Sequence, residues 1–480
     1  VRRIEAPALT SNHHSDRYLT QLASRVNGHW PFVLLGTLQA AAAYLAVSLG
    51  PVWVLAPLLV LLAIVAFFWP RAGLLLMVAA WFLPLSIFGV RGMFPADAIM
   101  LLLAAGYFLQ RLSRGLPIWE TSSLNVLILL WLSAYALSIT NSADLALALK
   151  SWLRHAQLFV LFFAAVGVLD RVTIRRALWL FLSLCSLNAI YCIADFVAAD
   201  GHTRSFGLPG ILFSGFLAVA APYVICQYLI DERRRYACLW AGLFLLFVVA
   251  QLANRSRGAM IQLFTGFIFA LVVTHRHCRD TGRLQQFRGR LRSLTWAGVL
   301  VLVALIATAG TSLMSVWDRY LAHSGSDFHT LQTRAFLWTT SLDLLAEKPL
   351  LGLGPGQSVE RLGYLDDLRL NKYTFETARM SLHNAFLTYL SEGGLVGTVI
   401  LLCLLWRGVS LGCGVPSRAV GSDDDRIRLG VWSVVFVLLT RYLYEGHLFY
   451  SISGMTTMTF LAMLNNLRAQ ASGSAAEPSQ

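Results

Sequence analysis

The stretch SLHNAFLTYLSEGGLVGTVILLCLLW, Ser381 to Trp406, sets a histidine and an asparagine at the mouth of an apolar run and a carboxylate inside it. Imidazole titrates near neutrality, which suits His383 to orient and deprotonate a hydroxyl nucleophile. Three other segments place arginines in short connections or on a loop: GHTRSFGLPG with Arg204, NRSRGA with Arg255 and Arg257, and LQTRAFLW with Arg334. Guanidinium groups that converge on one pocket repel one another unless an anion joins them, and a diphosphate matches their forked donors. Arg204, Arg257 and Arg334 with His383 therefore suggest group transfer, in which the arginines neutralise a diphosphate leaving group and the imidazole serves the acceptor. Arg91, Arg255 and Arg319 are read as snorkelling or ion-paired, and Lys150, Arg154 and His155 as an extension of the cationic pocket.

Asn384 is placed to cap a helix or to orient His383. Glu392 follows nine residues after His383, about 13 Å further along a helix at ~1.5 Å per residue. A bare carboxylate at that depth is costly, so the expectation is a structural acid, protonated or paired, with proton relay as the competing role. Its neighbours Gly393, Gly394 and Gly397 suggest a place where another helix approaches closely. Two other motifs point to less: GLGPG (Gly352 to Gly356) lacks the GK[ST] of a phosphate loop and is read as a turn. HRHC (His275, His277, Cys278) lacks a second pair of metal ligands.

The elements that must hold these residues are membrane spans. Of 480 residues, 57% are hydrophobic and 13% charged, with a mean hydropathy of +0.63, which excludes an ordinary soluble domain. Fourteen apolar runs of spanning length begin near Pro31, Val52, Gly73, Phe94, Ser122, Leu153, Ala177, Ile211, Ala237, Gly258, Leu294, Ala385, Leu429 and Tyr450. Alternate connections carry 24 of the 38 basic residues, although the other set holds the longest loop. That asymmetry places both termini in the cytoplasm and His383 at the outer membrane boundary. It also accounts for most of the net charge of +13 without a nucleic-acid partner. Residues 1–30 form a cytoplasmic segment without the apolar core of a cleavable signal, 31–467 the membrane domain, and 468–480 a disordered tail. The long outer loop, 315–382, is expected to hold one helix over HTLQTRAFLWTTSLDLLAE, with Leu331, Phe336, Leu337, Leu342 and Leu345 at helical spacing, and a second piece from Val359 to Leu370. The seven cysteines fall in spans or cytoplasmic turns, so disulfides are not expected.

A lone R-x-F-G turn, then SRGA opening a span, then R-A-F-L-W with D-x-L-x-E-K-P-L-L-G-L-G-P-G, then L-H-N-A-F-L with E-G-G-L-V-G, together resemble the O-antigen ligase and polymerase superfamily, over about Arg204 to Leu401. The resemblance implies an all-α polytopic protein of about 12 to 14 spans in the bacterial inner membrane, with its active site facing the periplasm. It implies transfer of a glycan from undecaprenyl diphosphate to a sugar hydroxyl on lipid A-core or on another lipid-linked glycan, without metal or cofactor. The family's histidine falls on His383 and its outer-face arginines on Arg257 and Arg334, with Arg204 a further match; Arg154, Asn384 and Glu392 are possible accessory groups. Ligase and polymerase both fit. A transporter of lipid-linked glycan is the competing class, suggested by Pro57, Pro84 and Pro222 in apolar runs and by Asp195 and Glu392 inside them.

Overall fold

The computed structural model describes residues 61–82, 95–198, 211–254, 256–300, 324–358, 361, 382, 384–413, 423–443 and 451–473. The chain divides into two compact units, Val1–Ile64 and Val65–Gln480. Of the first, residues 61–64 are helical. The second holds the rest of the described residues. No strand occurs among the described residues, and the chain is an all-α polytopic membrane protein. Helices α1 to α7 span Pro70–Ala80, Pro95–Ser113, Asn125–Leu137, Leu145–Val168, Arg171–Ala198, Ile211–Ile230 and Arg234–Asn254. Helices α8 to α12 span Arg257–Asp280, Ser324–Glu347, Ala385–Ser410, Asp423–Arg441 and Ser451–Gly473. α4, α5, α7, α8 and α10 are long and apolar enough to cross a bilayer.

Each run expected from Gly73 onward coincides with a helix, save that the one from Leu294 starts within helical residues 284–300 and continues into 301–323, outside the described residues. The runs from Pro31 and Val52 also lie largely outside them. Local chemistry explains where several helices start. Asp144 accepts the backbone N–H of Leu147 ahead of α4, and Ser256 accepts that of Ala259 ahead of α8. Pro70 and Pro95 open α1 and α2, where a missing N–H costs nothing.

Packing then sorts the helices. α6 is buried on every side from Phe216 to Ile230, because α7, α8 and α11 enclose it, and accordingly its sequence has no polar face. α10 behaves differently. Leu395, Val396, Val399, Leu402 and Trp406 point outward, an apolar stripe suited to lipid, while its other face meets α3 and α9.

α9 begins five residues before the segment expected to be helical and ends at Glu347, ahead of the Pro and Gly residues. Its buried face is Leu337, Thr340, Ser341 and Leu344, one helical stripe. Leu342, expected on that stripe, is 52% exposed on the other side. Arg361 aside, the piece expected over Val359–Leu370 lies outside the described residues. α12 continues to Gly473, past the expected start of the tail.

Candidate functional site

α10 is not the continuous span its sequence suggests. Gly394 has φ 62°, ψ −167° and breaks the helix one residue after Gly393. The break is filled by backbone. In a straight helix the carbonyls of Ser391 and Glu392 would accept from the amides of Leu395 and Val396. Here they accept instead from Leu353 at 2.8 Å and Gly354 at 2.9 Å. The freed amides of Leu395 and Val396 donate to the carbonyls of Pro349 and Leu350, at 2.9 and 3.2 Å. The KPLLGLGPGQ turn is thus spliced into the ladder of α10, and every backbone group displaced at the break keeps a partner. Gly352 and Gly394 are required by this approach: a Cβ on Gly394 would lie 2.3 Å from the Leu350 carbonyl oxygen, and one on Gly352 would lie 2.4 Å from the Glu392 carbonyl carbon. GLGPG is therefore a turn whose amides are consumed within the protein. What reaches Gly394 is this turn, not another helix as expected; Gly393 faces the ring of Tyr135, and among the described residues nothing outside its own stretch of helix lies within 4 Å of a Cβ at Gly397.

The splice positions Glu392, which is 3% exposed. Its Oε2 accepts the Tyr135 hydroxyl and its Oε1 the Ser358 hydroxyl, each at 2.5 Å. Sequence reasoning left this acid without a partner; it also accepts the backbone amides of Gly356 and Ser358, all of these donors are neutral, and among the described residues it has no ion pair. Nothing in the chain's periodicity links Tyr135, 257 residues earlier, to Glu392. The turn is also tied to the α3–α4 connection, where Asn141 donates to the Gly352 carbonyl at 2.9 Å. Gln357 donates to the Asp144 carbonyl and accepts the Asp144 amide.

One turn up α10 from Glu392, Tyr389 meets His155 of α4, with its hydroxyl 3.0 Å from Nε2; Nδ1 lies 2.6 Å from the Ser151 carbonyl. Trp131 and Tyr135 stack beside them at 4.9 Å. His155, expected to extend an outer cationic pocket with Lys150 and Arg154, is instead buried in this aromatic cluster. Both of its ring nitrogens are engaged by protein. Lys150 is exposed and Arg154 half-buried.

At the head of α10, Asn384 is the N-cap, its side chain accepting the Leu387 amide at 3.2 Å. The Ala385 amide donates to the carbonyl of Tyr442, anchoring this end to the end of α11. Leu382 is fully buried in a cluster with Leu337 and Leu344 of α9, flanked by Leu353 and Leu387. Arg334, half-buried on α9, precedes Leu337 by one turn, and Leu382 immediately precedes His383. Arg204 and His383 themselves lie outside the described residues, and Arg257 is described by its backbone alone, as the first residue of α8. The structure thus brings together the helix of Arg334, Asn384 and Glu392.

The junction that carries Arg257 has a feature the sequence did not single out. Gln251, Asn254 and Gln262, within about two turns of it on α7 and α8 at 3.6 residues per turn, are at most 1% exposed. Neither amide atom of Gln251, nor Nε2 of Gln262, has a hydrogen-bond partner among the described residues.

Residues 241–402, which include Arg257, Arg334, His383 and Glu392, match the O-antigen ligase family. The chain is also similar to the exopolysaccharide production protein ExoQ of Rhizobium meliloti (strain 1021), with 25% identity over 363 residues, covering 68% of this chain and 77% of that protein.

Proposed function

The chain belongs to the O-antigen ligase and polymerase superfamily, and from that premise we propose that it transfers a glycan from undecaprenyl diphosphate to a sugar hydroxyl at the periplasmic face of a bacterial inner membrane. The acceptor oxygen attacks the anomeric carbon as the bond from that carbon to the phosphate oxygen breaks, inverting the centre. His383 takes the hydroxyl proton. Arg257 and Arg334, assisted by Arg204, hold the departing diphosphate, so the leaving group needs charge neutralisation rather than protonation. The donor bond supplies the driving force, and no nucleotide is consumed. Membrane lipids surround the site, and lipid A-core or a lipid-linked glycan provides the acceptor.

The observation that carries this reading is the shared buried cluster of Leu337 and Leu382, because the chain immediately flanking those two leucines contains Arg334 and His383. A ligase acting on lipid A-core is the first reading, since the matched family is O-antigen ligase. A polymerase for exopolysaccharide or O-antigen is the second, favoured by the similarity to an exopolysaccharide production protein.

Purified protein in liposomes containing a lipid-diphosphate glycan and an acceptor tests the chemistry. His383→Ala is expected to lower turnover on the order of 10²-fold or more, and near-wild-type turnover would remove the imidazole from this role. A transporter would leave the donor chemically unchanged. Deleting the gene separates the two readings: single-repeat caps on lipid A indicate a polymerase, unattached full-length polymer a ligase.

A further inference from the structure

The proposed reaction gives Glu392 no part, yet this acid sits where three elements join. We propose that Glu392 is the positioning residue of a latch that locks the 349–358 turn onto α10 and so holds the arginine of α9 and the histidine ahead of α10 in one register; the inference rests on the transfer reaction proposed above. α9 ends at Glu347, two residues before Pro349, whose carbonyl accepts one bond of the splice. Its C-terminal half is packed on the head of α10 through Leu337, Leu344 and Leu382. α9, the turn and the first turns of α10 are therefore joined at two places, the leucine cluster, which also takes in Leu353 of the turn, and Glu392.

The backbone bonds of the splice do not by themselves select the docked arrangement. If the turn withdrew, α10 could close its own ladder by pairing Ser391 with Leu395 and Glu392 with Val396, and the turn's groups could find water. The Glu392 side chain breaks that near-balance. Withdrawal removes the Ser358 hydroxyl from one carboxyl oxygen and strands it in an apolar setting, which is unfavourable for a buried acid. Tyr135 holds the other oxygen from α3, so the latch is fastened to the bundle as well as to α10. A loose latch lets α9 shift against α10, and misplacing a catalytic group by about 1 Å can cost about 10²-fold in rate.

The test uses the full chain in liposomes with a lipid-diphosphate glycan donor, alongside hydrogen exchange of the Leu353 and Gly354 amides. Glu392→Ala is expected to lower kcat by about 10²-fold with the donor KM changed by less than about two-fold, and to speed exchange at both amides. Glu392→Gln is expected to keep most of the activity and the slow exchange, because an amide can accept from one hydroxyl and donate to the other. If Glu392→Ala does not fold, Ser358→Ala and Tyr135→Phe leave the acid in place and are expected to lower kcat about ten-fold each, with faster exchange. Accelerated exchange with wild-type kcat would overturn the proposal. So would Glu392→Gln that is as inactive as Glu392→Ala while its amides stay protected, since the carboxyl would then have a chemical role. Exchange reports on the latch even if no transfer is catalysed, and His383→Ala reports on the reaction without touching the latch, so the two failures are distinguishable.

Discussion

Glu392 and Asp231 are both buried acids, each 3% exposed, and they are accommodated in opposite ways. Glu392 lies within a span and is served by two neutral hydroxyls, with an aromatic cluster alongside. Asp231 lies where α6 ends and takes a charged partner, Arg426 at 2.7 Å, together with the Trp240 indole N–H at 3.2 Å. Arg426 also pairs with Asp423, while Arg175 reaches Asp424 at 3.2 Å. Asp231, Arg426, Asp423 and Arg175 border a cavity of about 180 Å³ walled by Trp179, Tyr223 and Trp240. The difference teaches what each site is built to resist. At helix ends long cationic side chains can reach an acid while keeping contact with water. The exposed pair of Arg175 is tolerant of geometry and sensitive to salt, whereas the buried Arg426–Asp231 pair is screened less. Within a span, short neutral donors act only at hydrogen-bond distance and direction, so an acid satisfied that way fixes the elements around it.

The comparison can be broken most severely at Gly394. Gly394→Val adds a β-branched residue at positive φ and drives a Cβ into the Leu350 carbonyl. It is expected to destabilise the protein by about 4 kcal/mol, read as a lower Tm in detergent; an unchanged Tm would mean the splice contributes nothing to rigidity. Next is Arg426→Ala, which leaves Asp231 buried without its cation and is expected to cost about 3 kcal/mol. Adding Asp231→Asn should recover more than half of that loss, because the stranded charge is gone, and no recovery would show that the arginine acts by packing alone. The smallest effect is expected from Arg175→Ala, whose partner pair is partly exposed. Its loss should stay under about 1 kcal/mol, and at about 1 M salt variant and wild type should melt together. A salt-independent difference would place that pair with the geometric interactions instead.

Much of this protein was legible from residue types. Apolar runs predicted the helices from Gly73 onward. Asn384 marks a helix start because a cap needs only a side-chain oxygen a few residues from the amide it serves. The Pro and Gly residues after Glu347 announced the end of α9. The role of His155 and the partners of Glu392 were not legible, nor was the burial of Gln251 and Gln262 at the Arg257 junction. Tyr135 looks like one more aromatic in an apolar run, Ser358 like one more loop serine, and Gly394 like a small residue at a helix contact.

Composition and periodicity alone determined that this chain is a helical membrane protein, and its local motifs determined which segments carry the cations, the imidazole and the acid. Both are written in neighbouring residues, because bilayer thickness and helical pitch act over a single stretch of chain. That the 349–358 turn replaces part of the hydrogen-bond ladder of α10, and that Tyr135 and Ser358 close on Glu392 from distant points, was decided only by the tertiary structure. Those pairings depend on which helices pack side by side, and a backbone amide offers the same donor wherever it stands in the sequence.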